Sequence, residues 1–265
     1  MSKNLSPLAR QLAEIAVEAG ALILRHYGQD TKVRQKRDHS PVTLADEEAE
    51  ALIVERLGQC FPKLPIIAEE AVTRGEIPEI GERFFLVDPL DGTKEFLAHN
   101  GEFTVNIALI EANMPLCGVV VAPALQRIYL GDVGERAAFE ATLSNSSDLD
   151  LGSAKEIHAR KMPESGLIAM VSRSHRDAKT EEYLAHFPTA EMKGAGSSLK
   201  FCLIAAGEAD LYPRHGRTME WDIAAGHAVL LAAGGNVTQL DGTPFFYGKV
   251  AQGFANPYFV ARGRE

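Results

Sequence analysis

The sequence predicts a layered α/β protein built in two halves, residues 1–150 and 151–265. Three observations support this. Two helical patterns precede any strand; a run of short apolar strands then fills the stretch from Phe84 to Glu140; beyond Gly166, strand and helix patterns alternate as layered α/β architectures require.

The first element is a helix. In LARQLAEIAVEAGALIL the residues Leu8, Leu12, Ile15, Ala19, Leu22 and Ile23 recur at helical spacing, while Arg10, Glu14 and Glu18 interrupt any reading as a signal-peptide core or membrane span. A charged stretch, DTKVRQKRDHSP, leads to a second helix over TLADEEAEALIVERLGQCF, opened by Thr43 and Asp46 and closed by Phe61-Pro62. LPIIAEE and RFFLVDPLDGT follow as short strands. FTVNIALIEANMPLCGVVVAP reads as a hairpin turning near Asn113-Met114-Pro115, and QRIYLGDVGERAAFE continues the antiparallel pattern.

From Ala141 to Gly152 the composition shifts to Ser, Asn and Asp, which we take as a polar loop at the junction of the halves. The second half then reads GLIAMVS strand, DAKTEEYLAHF helix, AEMKGAG connection, SSLKFCLIAAGEA helix, ADLYP strand, and WDIAAGHAVLLAAGG helix ending at a Gly-Gly cap. No internal repeat or low-complexity tract interrupts it.

A chain of 265 residues buries roughly 70–75% of its unfolded surface, enough for a core without staples. Cys60, Cys117 and Cys202 are far apart in apolar surroundings and read as reduced structural thiols of a cytosolic protein. A net charge of −9 without a basic run argues against a nucleic-acid polymer as partner but leaves room for a small anion in a local cationic pocket.

The chemistry concentrates where elements end. Glu69 follows PIIA, Asp88 and Asp91 follow FFLV, and Asp222 stands at the N-cap of its helix. In VDPLDGT a turn accounts for Pro89 and Gly92, yet it leaves two neighbouring carboxylates repelling each other unless a cation lies between them. Taken singly, Asp222 reads equally as a helix cap and Glu69 as a solvated loop residue. Together the four are hard oxygen donors with no paired His or Cys, a set that suits Mg²⁺ or Mn²⁺ rather than zinc.

The spacing excludes an EF-hand, and no G-x-x-x-x-G-K-[ST] phosphate loop exists. A strand ending in D-x-D-G-T would suggest an aspartyl nucleophile, but two residues separate these aspartates. Gly92-Thr93 open a short helix whose first N–H groups suit a phosphate, so metal and anion sites coincide and point to phosphate-ester hydrolysis by an activated water.

The assembled motifs resemble the inositol monophosphatase superfamily: Glu-Glu after one strand, D-P-x-D-G-T after the next, and W-D-x-A-A-G near the end. VDPLDGTKEF, GEFTVNIALI, GSSLKFC and WDIAAGHAV resemble its 3′(2′),5′-bisphosphate nucleotidase branch, over nearly the whole chain. The resemblance implies an inositol monophosphatase-like sugar-phosphatase fold with the site between the halves. It implies metal ligation by Glu69, Asp88, Asp91, Asp222 and the carbonyl of Leu90. Two Mg²⁺ ions are expected, with a third in some states, Mn²⁺ as a substitute, and inhibition by lithium.

The same resemblance gives Asp46, Thr93 and Glu69 catalytic roles, the first two orienting and deprotonating the attacking water. Read alone, Thr93 is an ordinary first-turn residue and Asp46 part of a good helix start. It further implies substrate contacts from Gly92, Thr93 and Asp222, from Ser172, Arg173, Ser174 and His175 in VSRSH, and from Gly196, Ser197, Ser198 and Lys200 in GSSLK. Physically, Ser197-Ser198 open a helix that attracts an anion; equally, Ser197 reads as a cap and Lys200 as a solvated lysine. The chain departs from the branch in the longer ATLSNSSDLDLGSAKEIHA and near RHGRTMEWD, where Arg214 and Glu220 are further binding candidates.

The expected reaction is removal of the 3′-phosphate from adenosine 3′,5′-bisphosphate, a by-product of sulfate activation, in the cytoplasm. No integral membrane contact is expected, and peripheral contact with the inner face of the membrane is compatible with the chain. The alternatives are an inositol or sugar monophosphate phosphatase of the same superfamily, and an inactive metal- or nucleotide-binding regulator.

Overall fold

The computed structural model describes residues 5–28, 34–35, 41–143, 149, 152, 154–173 and 178–264. Helix α1 (Pro7–His26) starts where Ser6 Oγ accepts the Ala9 N–H at 3.2 Å, with Pro7 in the first turn. Its apolar stripe, including Leu12, Ile15, Ala19 and Ile23, is buried. A two-stranded ribbon, β1 (Arg34–Gln35) with β2 (Pro41–Val42), precedes α2 (Leu44–Cys60), whose N-cap is Thr43.

The large sheet has seven strands in sequence order: β3 (Ile66–Ala68), β4 (Arg83–Asp91), β5 (Thr104–Glu111), β6 (Met114–Ala122), β7 (Arg127–Asp132), β8 (Ala137–Thr142) and β9 (Lys155–Glu156). Among the described residues of this sheet, only β3 and β4 pair in parallel. The β5–β6 hairpin turns at Ala112-Asn113, both at positive φ (48° and 64°), one residue before the expected place. Its last strand, β9, lies beyond residue 150, so the sheet outlasts the polar junction.

These strands are apolar at nearly every position because both faces are covered. Phe85, Val87, Val105, Ile107, Val119 and Val121 join the cluster under α1 and α2, and the alternating Phe84, Leu86, Ala108, Ile110 and Val120 join the cluster on the opposite face. On that opposite face lie α6 (Leu199–Ala205) and α7 (Glu220–Ala232), which also pack the second sheet.

The second sheet orders its strands β11 (Thr189–Ala195), β10 (Leu167–Ser172), β12 (Leu211–Arg214), β14 (Phe259–Arg262) and β13 (Asn236–Gln239). AEMKGAG is therefore an edge strand, not a connection: it pairs in parallel with β10, and its exposure on both faces hid the alternation that marks a strand. Leu184 of α5 (Ala178–Leu184) caps the far face with Leu167, Ala169 and Val171. The layers thus run helix, sheet, helix, sheet, helix.

Helix α7 seats directly on β6 and β7. A Cβ on Gly118 would stand 2.7 Å from Ala228 Cβ, and one on Gly131 would stand 2.5 Å from Val229 Cα, so only glycine permits this approach. Cys117 and Cys202 are buried as expected, but Cys60 is exposed at the end of α2, where its thiol accepts from Gln11 Nε2 at 2.8 Å. Among the described residues no helix is long and apolar enough to cross a membrane.

Candidate active site

VDPLDGT does not end its strand. β4 continues to Asp91 and contains a bulge: Asp88 faces Asn106, and Asp91 faces Thr104, so three steps on β4 match two on β5. In a regular strand residues three apart point to opposite faces; the one extra residue puts Asp88 and Asp91 on the same face. Pro89 is tolerated because a bulge releases its position from the ladder. Asp88 is buried, its Oδ1 accepts the Leu90 N–H at 3.0 Å, and Asn106 Nδ2 donates to Asp91 Oδ2 at 3.4 Å.

Gly92 then turns the chain in the left-handed region (φ 90°), and a Cβ there would collide with Ser197 Oγ. The turn opens α4 (Thr93–Leu97). Thr93 Oγ1 donates to Asp46 Oδ1 at 3.3 Å, while the other Asp46 oxygen accepts the Thr43 N–H at 2.8 Å. Asp46 therefore both caps α2 and reaches the site.

Glu69 is the first residue of a short helix, α3 (Glu69–Arg74), that sequence reasoning missed. Glu50 of α2 holds this turn: its Oε2 accepts the Glu70 N–H at 2.6 Å, and Arg74 pairs with its other oxygen at 3.3 Å. Burial raises the Glu50 pKa, opposed by those donors. The Glu-Glu first turn and Gly75 at its left-handed end were the available signals.

Asp222 is not the N-cap of α7. Met219 holds that place, and Asp222, three residues in, accepts the Met219 N–H at Oδ2 at 2.7 Å. The carboxylate thus reaches back over the helix start, and Ser198 Oγ donates to the Asp222 carbonyl at 2.6 Å.

These elements enclose a cavity of about 240 Å³. Glu69, Asp91, Glu95 and Asp222 line its acidic part, and Lys94, Lys200, Arg214 and Arg217 its cationic part; Gly92, Thr93, Ser172, Gly196, Ser197 and Thr218 complete the wall, with Phe201, Tyr212 and Ile223 as apolar lining. Burial raises the Asp91 pKa to about 6, with Lys200 opposing and Glu69 and Glu95 reinforcing the rise. Burial also pushes Asp222 well up, helped by the charges of Asp91 and Glu69.

Among the described residues no three His, Cys, Asp or Glu side chains gather as a ready metal-holding group. The chemistry of the donor set nevertheless fits a hard cation: the carboxylates of Glu69, Asp91, Glu95 and Asp222 face one cavity, and the charges of their neighbours oppose ionisation of Asp91 and Asp222.

Lys200 is not a solvated helix lysine. It is buried, with Nζ donating to the carbonyls of Ser197 at 2.6 Å and Ala195 at 3.1 Å, and burial lowers its pKa to about 8. Ser197, at φ 49°, is not a cap; its Oγ lies 2.7 Å from the Asp91 carbonyl and 2.8 Å from that of Glu102. Arg173 is engaged by Glu102 (2.7 Å) and the Gly194 carbonyl (3.0 Å). Ser174 and His175 lie outside the described residues.

Arg214 is buried at the cavity wall, but Glu220 points away from it. Glu220 is fully buried, accepts the Gly248 and Lys249 N–H groups at 2.9 Å each, and pairs with Lys249 Nζ at 2.7 Å, so it fastens the 248–249 loop rather than a ligand. Tyr212, Arg217 and Glu95 line the cavity and Glu102 stands behind it, accepting the Gly196 N–H; all four escaped sequence reasoning, since each sits in an otherwise ordinary strand, helix or loop context.

The model of the inositol monophosphatase family matches residues 4–261. The 3′(2′),5′-bisphosphate nucleotidase CysQ of Escherichia coli K12 is 41% identical over 251 residues, 94% of this chain and 97% of that protein. Its counterpart in Salmonella typhimurium is 41% identical over 95% of this chain and 98% of its own length. Among solved structures, CysQ from Bacteroides thetaiotaomicron, a bacterial member of the inositol monophosphatase family, superposes with a TM-score of 0.80 at 35% identity, covering 97% of both chains. An inositol monophosphatase from Anabaena superposes at 0.73 with 26% identity, covering 99% of this chain and 92% of its own. A bulged strand presenting two aspartates, an acidic wall completed by Asp222, and a match along almost the whole length agree: the chain belongs to the inositol monophosphatase family.

Proposed function

We propose that the chain is a phosphoric monoester hydrolase, a Mg²⁺-dependent 3′(2′),5′-bisphosphate nucleotidase that converts adenosine 3′,5′-bisphosphate to AMP and phosphate. The observation that carries this reading is one cavity holding both an acidic wall (Glu69, Asp91, Asp222) and a cationic wall (Lys200, Arg214, Arg217). Cations on the first and a second phosphate on the second match a substrate with two phosphates. The identity to the CysQ nucleotidases over 94% and 95% of the chain supports the same substrate class.

Glu69, Asp88, Asp91, Asp222 and the Leu90 carbonyl would hold two Mg²⁺ ions, with a third in some states and Mn²⁺ as a substitute. When bound, such a pair activates a water and stabilises the leaving oxygen of an in-line displacement. Thr93, pinned on Asp46 at 3.3 Å, and Asp46 would orient and deprotonate the water, with Glu69 as the third catalytic residue on the cavity wall. Gly92 and Thr93 hold the reacting phosphate at the start of α4. Ser172, Gly196, Ser197 and Lys200 line the cavity and would contact the rest of the nucleotide, with Ser198 supporting them from its bond to the Asp222 carbonyl and Asp222 shared between metal and substrate. The site therefore draws on both halves, 1–150 and 151–265.

We assign the reaction to sulfur metabolism in the cytoplasm, where three free cysteines persist in reduced form. The test is phosphate release from adenosine 3′,5′-bisphosphate and from inositol 1-phosphate at equal concentration, with Mg²⁺ and with a chelator. Preference for the nucleotide, abolished by chelation, is the expected outcome. Preference for inositol phosphate would keep the hydrolase and discard the nucleotidase, and release insensitive to chelation would discard the metal.

A further inference from the structure

One side chain outside the cavity ties its two walls together. Glu102, on the loop after α4, receives Arg173 as a fork: Nε to Oε2 at 2.8 Å and Nη2 to Oε1 at 2.7 Å. The same Oε2 accepts the Gly196 N–H at 2.8 Å. Its carbonyl lies 2.8 Å from Ser197 Oγ, and that hydroxyl is also 2.7 Å from the carbonyl of Asp91. Arg173 reaches back to the Gly194 carbonyl at 3.0 Å, so both ends of the loop are gripped.

Ser197 has φ 49°, a left-handed conformation that costs a non-glycine residue free energy and persists only where surroundings fix it. Lys200 then hangs from this loop, donating to the carbonyls of Ala195 and Ser197. From Glu102 to Lys200 there is thus an unbroken series of fixed contacts, joining the first half to the cationic wall of the second.

We infer that Glu102 and Arg173 form a positioning clamp that sets the 194–198 loop, and through it Lys200, for the second phosphate of the substrate. The inference rests on the nucleotidase reading above. Neither residue lines the cavity: Arg173, for which the family resemblance implied a substrate contact, instead spends its guanidinium on Glu102 and the Gly194 carbonyl. The ion pair is open to solvent, with side-chain exposures of 50% and 21%, so it adds little to global stability. Its worth lies in geometry: a two-pronged guanidinium–carboxylate contact fixes direction as well as distance.

The experiment measures KM, kcat and melting temperature on adenosine 3′,5′-bisphosphate for the wild type, Glu102→Ala, Arg173→Met and the double variant, at saturating Mg²⁺. Each single variant should raise KM about tenfold, with kcat changed by less than about twofold. The double variant should be no worse than the worse single, because both remove one device. Glu102→Gln, which still offers an oxygen to Gly196, should fall between. Melting temperatures should stay within about 3 °C of wild type.

An unchanged KM in Glu102→Ala overturns the clamp, as do additive effects in the double variant or a KM that rises only alongside a collapsed melting temperature. Should Glu102→Ala fail to fold, Arg173→Met decides by the same KM criterion. Wild-type protein that releases no phosphate from this nucleotide overturns the nucleotidase reading and the clamp with it; turnover with an unmoved KM overturns the clamp alone.

Discussion

Thr93 Oγ1 donates to Asp46 Oδ1 across 47 residues of chain, joining the helix that opens after the β4 bulge to the first turn of α2. The contact leaves Asp46 Oδ2 to its capping role with Thr43, so the Thr93 hydroxyl can be removed without unfolding α2. Thr93→Ala should lower kcat roughly 10²-fold with little change in melting temperature. Steady-state kinetics beside a thermal scan checks this, and an unaltered kcat would remove Thr93 from the mechanism.

Asp91→Asn takes away a cavity carboxylate whose ionisation is opposed by the Glu69 and Glu95 charges and which itself opposes ionisation of Asp222. Mg²⁺-dependent turnover should fall by roughly 10²–10³-fold, while the chelator-treated protein should melt at a higher temperature than wild type, because a buried repulsion is gone. Calorimetry in chelator reads the second effect. A variant that melts lower contradicts the repulsion.

The pH dependence follows from the same group. Burial first, then the neighbouring Glu69 and Glu95 charges, raise the folded Asp91 pKa to about 6 against the pull of Lys200. A carboxyl raised in the folded state contributes stability at low pH and loses it as pH rises through about 6. Protons and Mg²⁺ compete for it, so the rise in melting temperature caused by Mg²⁺ should be small near about pH 5 and reach its full size by about pH 7.5. A Mg²⁺ effect that is flat across this range would remove Asp91 from the metal site.

Much of this was legible in the sequence, for reasons particular to each element. The helical spacing of Leu12, Ile15, Ala19 and Ile23, and the apolar runs of β4 to β8, survive any tertiary context because burial enforces them. β11 was not legible, since an edge strand exposed on both faces carries no alternation. The side-by-side placement of Asp88 and Asp91 depends on one extra residue in a ladder, and register is a property of two strands, not of one sequence segment. Asp222 was found with the wrong cap position, because a carboxylate three residues into a helix and one at its cap write the same local pattern. Ser197 meets the carbonyls of Asp91 and Glu102 across 106 and 95 residues of chain, beyond any local rule, and Lys200 is buried against the loop those contacts fix.

Packing gives a further prediction. Gly131→Ala would force its Cβ into the backbone of α7 at Val229 and Ala228, and should cost about 1–3 kcal/mol of stability. Denaturant unfolding measures it. Turnover at a temperature where the variant is folded should also fall, since α7 carries Asp222. A variant as stable as wild type would mean that the helix shifts freely on the sheet.

That tight seating of α7 governs traffic as well as stability. The helix belongs by sequence to residues 151–265, yet its buried face shares one apolar cluster with Phe84, Ile110 and Val120 of the large sheet. Two bodies welded along a common core cannot swing apart like jaws. Hinge opening between the two sheets would have to break this shared core, so turnover is not expected to wait on it. Turnover in such an enzyme should depend only weakly on solvent viscosity until the diffusional limit itself is approached.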